Sequence, residues 1–122
     1  MTDAAAGKSV LRVIVCGGRD YSDIAAVRHE IVRIGMDNMH AVIVHGAARG
    51  ADSIARFCAE DLGLQTEAHP ANWDKYGKRA GFIRNQEMAD AGADLCVAFP
   101  GGNGTADMIR RAEAAGIPCR KL

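Results

Sequence analysis

The stretch VLRVIVCGGRD, residues 10–20, decides the fold class of this chain. Residues 10–16 are apolar apart from Arg12 and rich in β-branched side chains, a pattern typical of a strand buried on both faces of a parallel sheet. Gly17 and Gly18 then interrupt the strand, and Ser22 or Asp23 can cap a helix. The stretch therefore predicts a strand at 10–16, a glycine loop and a helix, in that order.

The helix after this loop has one apolar face. That face carries Ile24, Val27, Ile31 and Ile34, which recur at helical spacing. Gly35 is placed to end the helix, because glycine is common directly after the last helical turn. Strand, loop and helix together form one βα unit.

The same unit recurs along the chain. Further strands are predicted at 41–45, 65–69, 94–99 and 117–120. The second helix is expected to be capped by Asp52 or Ser53, to end at Gly63, and to bury Ile54, Ala55, Cys58, Ala59 and Leu62. A loop is predicted at 70–79, and two more helices at 82–91 and 105–115.

Alternating strands and helices indicate an α/β fold with a parallel sheet and helices on both faces. Right-handed crossovers leave few topologies, and a five-stranded Rossmann-like sheet with strand order 3-2-1-4-5 is the natural one. We expect one such domain over residues 10–122. Residues 1–9, with the sequence MTDAAAGKS, are small and polar and are expected to form a flexible tail.

Composition excludes several functional classes. The chain has 122 residues, and its 15 basic and 15 acidic residues give a net charge of zero, which disfavours a general nucleic-acid binder. No apolar stretch is long enough to cross a membrane, so a cytoplasmic protein with no membrane contact is expected. The four cysteines form no CxxC pair and are expected to be small buried side chains, with no metal site and no cofactor.

Glycine-rich loops follow three of the predicted strands, at 16–21, 45–52 and 100–107. In a parallel sheet these loops emerge at the same edge, where ligands bind in open α/β folds. Glycine lets backbone N–H groups approach an anion, and the start of the following helix adds unpaired N–H groups. A phosphate site is therefore predicted at 101–105. No loop fits the dinucleotide G-x-G-x-x-G pattern or the P-loop pattern.

The motifs also resemble a known family. IRNQEMADAGADLCVAFPGGNGTADM at 83–108 resembles the SLOG superfamily, which includes LOG-type nucleoside-monophosphate phosphoribohydrolases and the Smf/DprA DNA-processing proteins. With RVIVCGGRDY at 12–21, VIVHGAARGADSIA at 42–55 and PANWDKYGKRAGFIRNQEM at 70–88, the chain after residue 10 resembles its YspA/cpYpsA-related branch. The resemblance implies a Rossmann-like fold and a nucleotide or nucleotide-derived ligand.

The same resemblance names candidate catalytic residues. In the LOG enzymes an arginine in an R-K-x-E-M run and a glutamate in PGGxGTxxE cleave an N-glycosidic bond. Arg84 matches that arginine, whereas Asn85 replaces the lysine and Met108 stands at the glutamate position. Asp107 precedes Met108 and Glu87 lies one helical turn after Arg84, so the candidate catalytic residues are Arg84, Asp107 and Glu87. The departure at Met108 argues against LOG-type hydrolysis but leaves ligand binding intact.

The candidate ligand-binding residues lie in the three glycine loops or on the helix predicted at 82–91. They are Gly17, Gly18, Arg19, Gly46, Arg49, Arg84, Gly101, Gly102, Asn103, Gly104 and Thr105. Gly102 is expected to have a positive φ and to tolerate no side chain. Arg84 is expected on a helix surface, so that its removal would barely change stability.

Several residues have a structural alternative. Arg19 and Arg49 can bind phosphate or form ion pairs with Asp20 or Asp52, and Asp52 can simply cap its helix. His45 is expected to be a hydrogen-bonded packing residue. Three side chains in the loop at 70–79 can stack on a base or pack against the sheet edge: Trp73, Lys75 and Tyr76.

The leading functional hypothesis is a sensor or carrier module that binds a nucleotide-derived phosphorylated metabolite. The first alternative is a phosphoribohydrolase that releases the base from a nucleoside 5′-monophosphate. The second is a single-stranded DNA-binding module, which the neutral charge and scarce aromatic residues disfavour. A homodimer or larger assembly is expected, with the helix at 82–91 as a candidate contact because it carries Met88 and several alanines.

Overall fold

The structure is a computed structural model that describes residues 11–122. Its five strands form one parallel sheet in the order β3-β2-β1-β4-β5, which confirms the predicted Rossmann-like topology. The strands are β1 (Arg12–Cys16), β2 (Val42–His45), β3 (Gln65–Ala68), β4 (Leu95–Ala98) and β5 (Cys119–Lys121). The tail predicted at 1–9 lies outside the described residues.

Five helices connect the strands. They are α1 (Ile24–Asp37), α2 (Ala51–Asp61), α3 (Trp73–Tyr76), α4 (Ala80–Ala91) and α5 (Asn103–Ala114). Helices α1 and α2 pack together, as do α4 and α5. The two pairs cover opposite faces of the sheet, which accounts for the apolar character of β1.

Successive side chains of β1 belong to two separate cores. Val13 and Val15 pack in the core beneath α1 and α2, whereas Ile14 and Cys16 pack in the core beneath α4 and α5. Because a strand alternates its side chains between the two faces of the sheet, a strand with helices on both sides must be apolar throughout. Arg12, at the start of β1, lies at the margin of the sheet and is half-buried.

Gly35 does not end α1, contrary to the prediction. The helix continues to Asp37, and Asn38 closes it by donating its N–H to the carbonyl of Ile34. Leu64 packs beside this turn of the helix, where a Cβ at Gly35 would lie 3.4 Å from its side chain. At the other end Asp23 is the N-cap, with its carboxylate accepting from the N–H of Ala26.

The predicted cap of α2 is also wrong. The helix starts at Ala51, and its N-cap is Gly50. Glycine is required at this position because φ is +80° and because a Cβ would overlap the carbonyl of Gly18. Asp52 therefore lies inside the first turn. Leu62 follows the helix and is 40% exposed, so it does not belong to the buried stripe.

The segment predicted as a loop at 70–79 contains structure. Asn72 caps the short helix α3 by accepting from the N–H of Lys75, and a 3₁₀ turn over Gly77–Arg79 leads into α4. Helix α4 consequently begins at Ala80 instead of 82. Helix α5 begins at Asn103, two residues before the predicted start, which brings the glycine motif onto its first turn.

Over residues 11–122 no helix has both the length and the apolar character needed to cross a membrane. The four cysteines are free: Cys16, Cys58 and Cys96 are buried as expected, and Cys119 is half-buried.

Candidate ligand-binding site

A cavity of about 370 Å³ opens at the carboxyl edge of the sheet. Its walls come from the loops after β1, β2 and β4 and from α4. The lining residues are Cys16, Gly17, Gly18, Arg19, Ala48, Asp52, Trp73, Lys78, Gly81, Phe82, Arg84, Asn85, Met88, Gly102, Asn103, Gly104, Thr105 and Met108. The cavity therefore lies where open α/β sheets bind their ligands, beside the switch in strand order at β1.

The loops after β1 and β4 approach each other too closely for side chains. The N–H of Gly18 donates to the carbonyl of Pro100 at 2.9 Å. A Cβ at Gly18 would lie 3.1 Å from that carbonyl oxygen, and one at Gly17 would lie 2.6 Å from the Cβ of Ala51. These glycines thus allow the loops to form the floor of the cavity.

The crowded glycine of the PGGNGT motif is Gly101, not Gly102. A Cβ at Gly101 would overlap the hydroxyl of Thr105 and lie 2.7 Å from the nitrogen of Gly18. Gly102 has φ −101°, and a Cβ there would meet no atom within 4 Å. The expectation of a positive φ and no room for a side chain at Gly102 is therefore wrong.

The N-terminus of α5 forms one wall of the cavity. Gly102 is its N-cap and supplies no side-chain oxygen to the N–H groups of the first turn, which also holds no acidic residue. The hydroxyl of Thr105 has no hydrogen-bond partner within residues 11–122. This end of a twelve-residue helix consequently offers unpaired N–H groups, a partial positive charge and a hydroxyl.

Arg84 crosses the wall of the cavity and is only 9% exposed. Its Nε donates to Oδ1 of Asn85 at 2.9 Å, and its Nη1 donates to the carbonyls of Gly46 and His69. Burial lowers the pKa of the guanidinium, and Asp52 opposes that shift. Arg84 is therefore an internal tether between α4 and the ends of β2 and β3, and the expectation of a surface arginine is wrong.

The remaining nitrogen of Arg84 is available to a ligand. Nη2 has no hydrogen-bond partner within the described chain, and Arg84 lines both the main cavity and a neighbouring one of about 420 Å³. A Cβ at Gly81 would lie 3.7 Å from Nη2, an ordinary contact distance. The guanidinium thus combines fixed internal bonds with a free donor edge.

Asp52 supplies the carboxylate of the cavity wall and is 6% exposed. Its Oδ2 accepts from the N–H of Gly46 at 2.8 Å and, at 3.5 Å, from that of Ala48. Burial raises the pKa of this carboxyl, while the two backbone N–H groups and the cations of Arg84 and Arg19 act in the opposite direction.

Arg19 and Trp73 stand together at the mouth of the cavity. The guanidinium carbon of Arg19 lies 5.3 Å from the ring centroid of Trp73, within the range of a cation–π contact. Gly81 lies beside the same ring, since a Cβ there would be 3.4 Å from it. The pair separates the main cavity from the neighbouring one, which both residues also line.

Other predicted ligand residues do not reach the main cavity. Gly46 and Arg49 line the neighbouring cavity, and Arg49 pairs with exposed Asp20 at 3.2 Å. Gly101 does not line the cavity and lies against Thr105 and Gly18. Lys75 and Tyr76 contact each other through a cation–π contact of 5.1 Å and do not line the cavity.

The candidate carboxylates for hydrolysis lie elsewhere. Asp107 accepts from Arg111 at 2.7 Å, from Arg110 at 3.2 Å and from Asn85 at 3.1 Å. Burial acts to raise the pKa of Asp107, but the hydrogen bonds from Arg111 and Asn85 outweigh it, so the pKa lies below its ordinary value. Glu87 is exposed on the outer face of α4. Met108, at the position of the LOG glutamate, lines the cavity instead.

His45 is buried at the end of β2, where its Nδ1 accepts from the N–H of Ala47 at 3.0 Å. Burial lowers the pKa of its imidazole. The ring does not line the cavity, in agreement with a packing role.

Several lining side chains were not expected from the sequence, namely Cys16, Lys78, Phe82 and Met88. Asn85 was also not expected at the site; its side-chain amide donates to the carbonyl of Gly104 at 3.2 Å and so joins Arg84 to α5. The spacing of Arg84 and Met88, one helical turn apart, was the available signal that both share an inward face.

Comparison with known proteins identifies a family and a similar phage protein. The sequence model of the family described as the YspA, cpYpsA-related SLOG family matches residues 11–76. The chain is also 42% identical over 119 residues to the Gene 61 protein of Mycobacterium phage D29, a match that covers 88% of this chain and 92% of that protein. The family match includes the loops after β1 and β2, as well as Trp73.

Proposed function

The chain belongs to the YspA, cpYpsA-related SLOG family, and we propose that it binds a nucleotide or nucleotide-derived phosphorylated metabolite as a sensor or carrier module. The observation that carries the proposal is the convergence of two unpaired sets of donors on one cavity. These are Nη2 of Arg84 and the first turn of α5 with the hydroxyl of Thr105. Such donors suit a phosphate group.

The charge of the cavity supports an anionic ligand. Its lining contains three positively charged side chains, Arg19, Lys78 and Arg84, and one negatively charged side chain, Asp52. The cavity is therefore positive although the whole chain has no net charge. A local excess of this kind attracts a small anion without making the surface a general binder of nucleic acid.

The other walls suit a base. Trp73, Phe82, Met88 and Met108 add aromatic and thioether surface to the same cavity. Its volume of about 370 Å³ lies within the range of small-molecule sites, roughly 300–1,000 Å³. A planar heterocycle can pack on this surface while its phosphate lies at the start of α5.

The contacts of Asp107 favour binding over cleavage of an N-glycosidic bond. Both of its oxygens accept hydrogen bonds from neighbouring side chains, and Glu87 lies on the outer face of α4. Cleavage needs a carboxylate beside the scissile bond. Chromatography of the protein incubated with nucleoside 5′-monophosphates tests this point, and release of free base would restore the hydrolase hypothesis.

Isothermal titration tests the proposal directly. The ligands are AMP, ADP-ribose, NAD and cyclic mononucleotides, each titrated into folded protein. We expect at least one to bind with micromolar affinity, and the same ligand to bind more weakly to an Arg84→Lys protein, which keeps the charge but lacks the planar fork. Absence of binding by all of them at millimolar concentration would overturn the proposal.

We also propose that the chain works in the cytoplasm and forms a homodimer or larger assembly. Four free cysteines fit a reducing compartment. Met88 and Ala89 do not form the contact expected on α4, because both are buried in the core of the chain itself. Phe82, 41% exposed on α4, is the better candidate. Light scattering tests the assembly, and a mass near 12.9 kDa would contradict it.

A further inference from the structure

Within residues 11–122, only one oxygen of the Asp52 carboxylate accepts hydrogen bonds. Its Oδ2 accepts from the N–H of Gly46 and, at a longer distance, from that of Ala48, whereas Oδ1 accepts no hydrogen bond from residues 11–122. The side chain lines the cavity and is 6% exposed. A buried carboxylate is costly to desolvate, and one with an unused oxygen facing a cavity is suited to a donor on a ligand.

Support of the loop does not by itself explain an acid at this position. Asp52 lies inside the first turn of α2, whose N-cap is Gly50, and its side chain turns back to the loop after β2. An asparagine or serine oxygen can accept the same N–H of Gly46 at a smaller desolvation cost. What the carboxylate adds is a second, charged acceptor.

We propose that Asp52 recognises the vicinal hydroxyls of a ribose, so that the ligand of this cavity is a ribonucleotide and not a deoxyribonucleotide. The inference rests on the proposed function, because it assigns one part of the same ligand. Hydroxyl groups are donors, and two neighbouring hydroxyls match a carboxylate that has one oxygen free. An acid after the second strand contacts ribose hydroxyls in dinucleotide-binding folds as well.

The topology places this carboxylate at a suitable distance from the phosphate site. Strands β2 and β4 both flank β1, so their ends lie two strand spacings apart, about 10 Å. Asp52 follows β2, and the first turn of α5 follows β4. A ribose 5′-phosphate can span the distance between Asp52 and the first turn of α5, with one hydrogen bond at each end. The glycines after β1 would then lie beneath the sugar.

The charges around Asp52 support its role as an acceptor. Burial raises the pKa of this carboxyl, and the cations of Arg84 and Arg19 act against that shift. An ionised carboxylate accepts hydroxyl hydrogen bonds that are stronger than those between neutral groups. An exocyclic amine of the base is the alternative donor to Asp52. Only a hydroxyl donor predicts that removal of a ribose hydroxyl weakens binding.

The experiment compares AMP with 2′-deoxy-AMP and 3′-deoxy-AMP by isothermal titration. The wild-type protein should bind AMP about tenfold or more tightly than either deoxy ligand, the effect expected for loss of a hydrogen bond to a charged group. Asp52→Asn should bind AMP as weakly as the wild type binds the deoxy ligands, and its affinity for the deoxy ligands should change little. Asp20→Asn, which removes an exposed carboxylate from the neighbouring loop, should keep the preference for AMP.

The outcomes separate the two proposals. If AMP does not bind the wild-type protein, the proposed function for this ligand class and the inference both fail. If AMP binds but the deoxy ligands bind equally well, only the inference fails, and this arm needs no variant. Equal weakening of all three ligands in Asp52→Asn also overturns it and assigns Asp52 to the base or the loop. Thermal melting of Asp52→Asn confirms that the variant is folded.

Discussion

Gly46 leaves the space that the guanidinium of Arg84 occupies. Nη1 of Arg84 donates to the carbonyl of Gly46, and a Cβ at Gly46 would overlap the same guanidinium. The N–H of Gly46 meanwhile donates to Asp52 at 2.8 Å. Gly46 therefore contacts both Arg84 and Asp52, two charged side chains that line the cavity.

Gly46→Ala should consequently damage both stability and the site. The added methyl group must displace Arg84, and overpacking of a buried position costs about 1–3 kcal/mol. Urea denaturation measures the loss, and titration with AMP measures the weaker binding. Gly81→Ala is the matched control for stability: its Cβ would make only ordinary contacts, 3.4 Å from Trp73 and 3.7 Å from Arg84. Equal stability of Gly46→Ala and wild type would contradict the assigned position of Arg84.

Arg84→Ala should destabilise the fold by about 1–3 kcal/mol, the cost of leaving buried polar groups unpaired. The carbonyl of Gly46 and Oδ1 of Asn85 would lose their donor, and β2 would lose its tether to α4. Urea denaturation tests this. A matched control is Arg56→Ala, which removes an exposed arginine paired with Glu60 on α2 and should cost less than about 1 kcal/mol. Similar losses in the two variants would argue against the buried tether.

The sequence predicted the elements that depend on local pattern. Alternating strands and helices predict a parallel sheet covered on both faces, and right-handed crossovers favour its strand order. The glycine loops after the strands predict the edge at which the cavity opens. The burial of Arg84 depends on the distant loop after β2, which no local pattern describes. Its spacing from Met88 indicates the inward face, but a charged residue at that position has no local explanation.

The assignment of the crowded glycine shows the same limit. Gly101 and Gly102 are equivalent in the motif, and the contacts that distinguish them come from the side chain of Thr105 and from Gly18 in the loop after β1. The start of α5 at Asn103 likewise depends on where that loop holds the chain. Asp52 was expected to cap α2, because the sequence does not reveal that Gly50 already takes the N-cap position.

Gly101→Ala should therefore weaken AMP binding more than Gly102→Ala does. The methyl group at Gly101 would meet the hydroxyl of Thr105 and the nitrogen of Gly18, which forces the two loops apart. We expect a stability loss of about 1–3 kcal/mol and at least tenfold weaker binding, since the first turn of α5 moves with the loop. Gly102→Ala should melt like the wild type. A Gly102→Ala protein less stable than Gly101→Ala would reverse the assignment.

Stability at acid pH should depend on Glu67. Arg12 donates to both of its oxygens at 2.8 Å and His69 contacts it at 2.7 Å, and these hydrogen bonds lower the pKa of Glu67 to about 2, below its ordinary value of 4.5. The unfolded chain therefore takes up this proton at a higher pH than the folded chain does. The contribution is complete above about pH 4.5 and is lost as the pH falls toward 2. In urea denaturation at pH 6, the free energy of unfolding should be larger for the wild type than for Glu67→Gln, and this difference should shrink below pH 4.5. A difference that stays constant with pH would exclude this ion pair as its source.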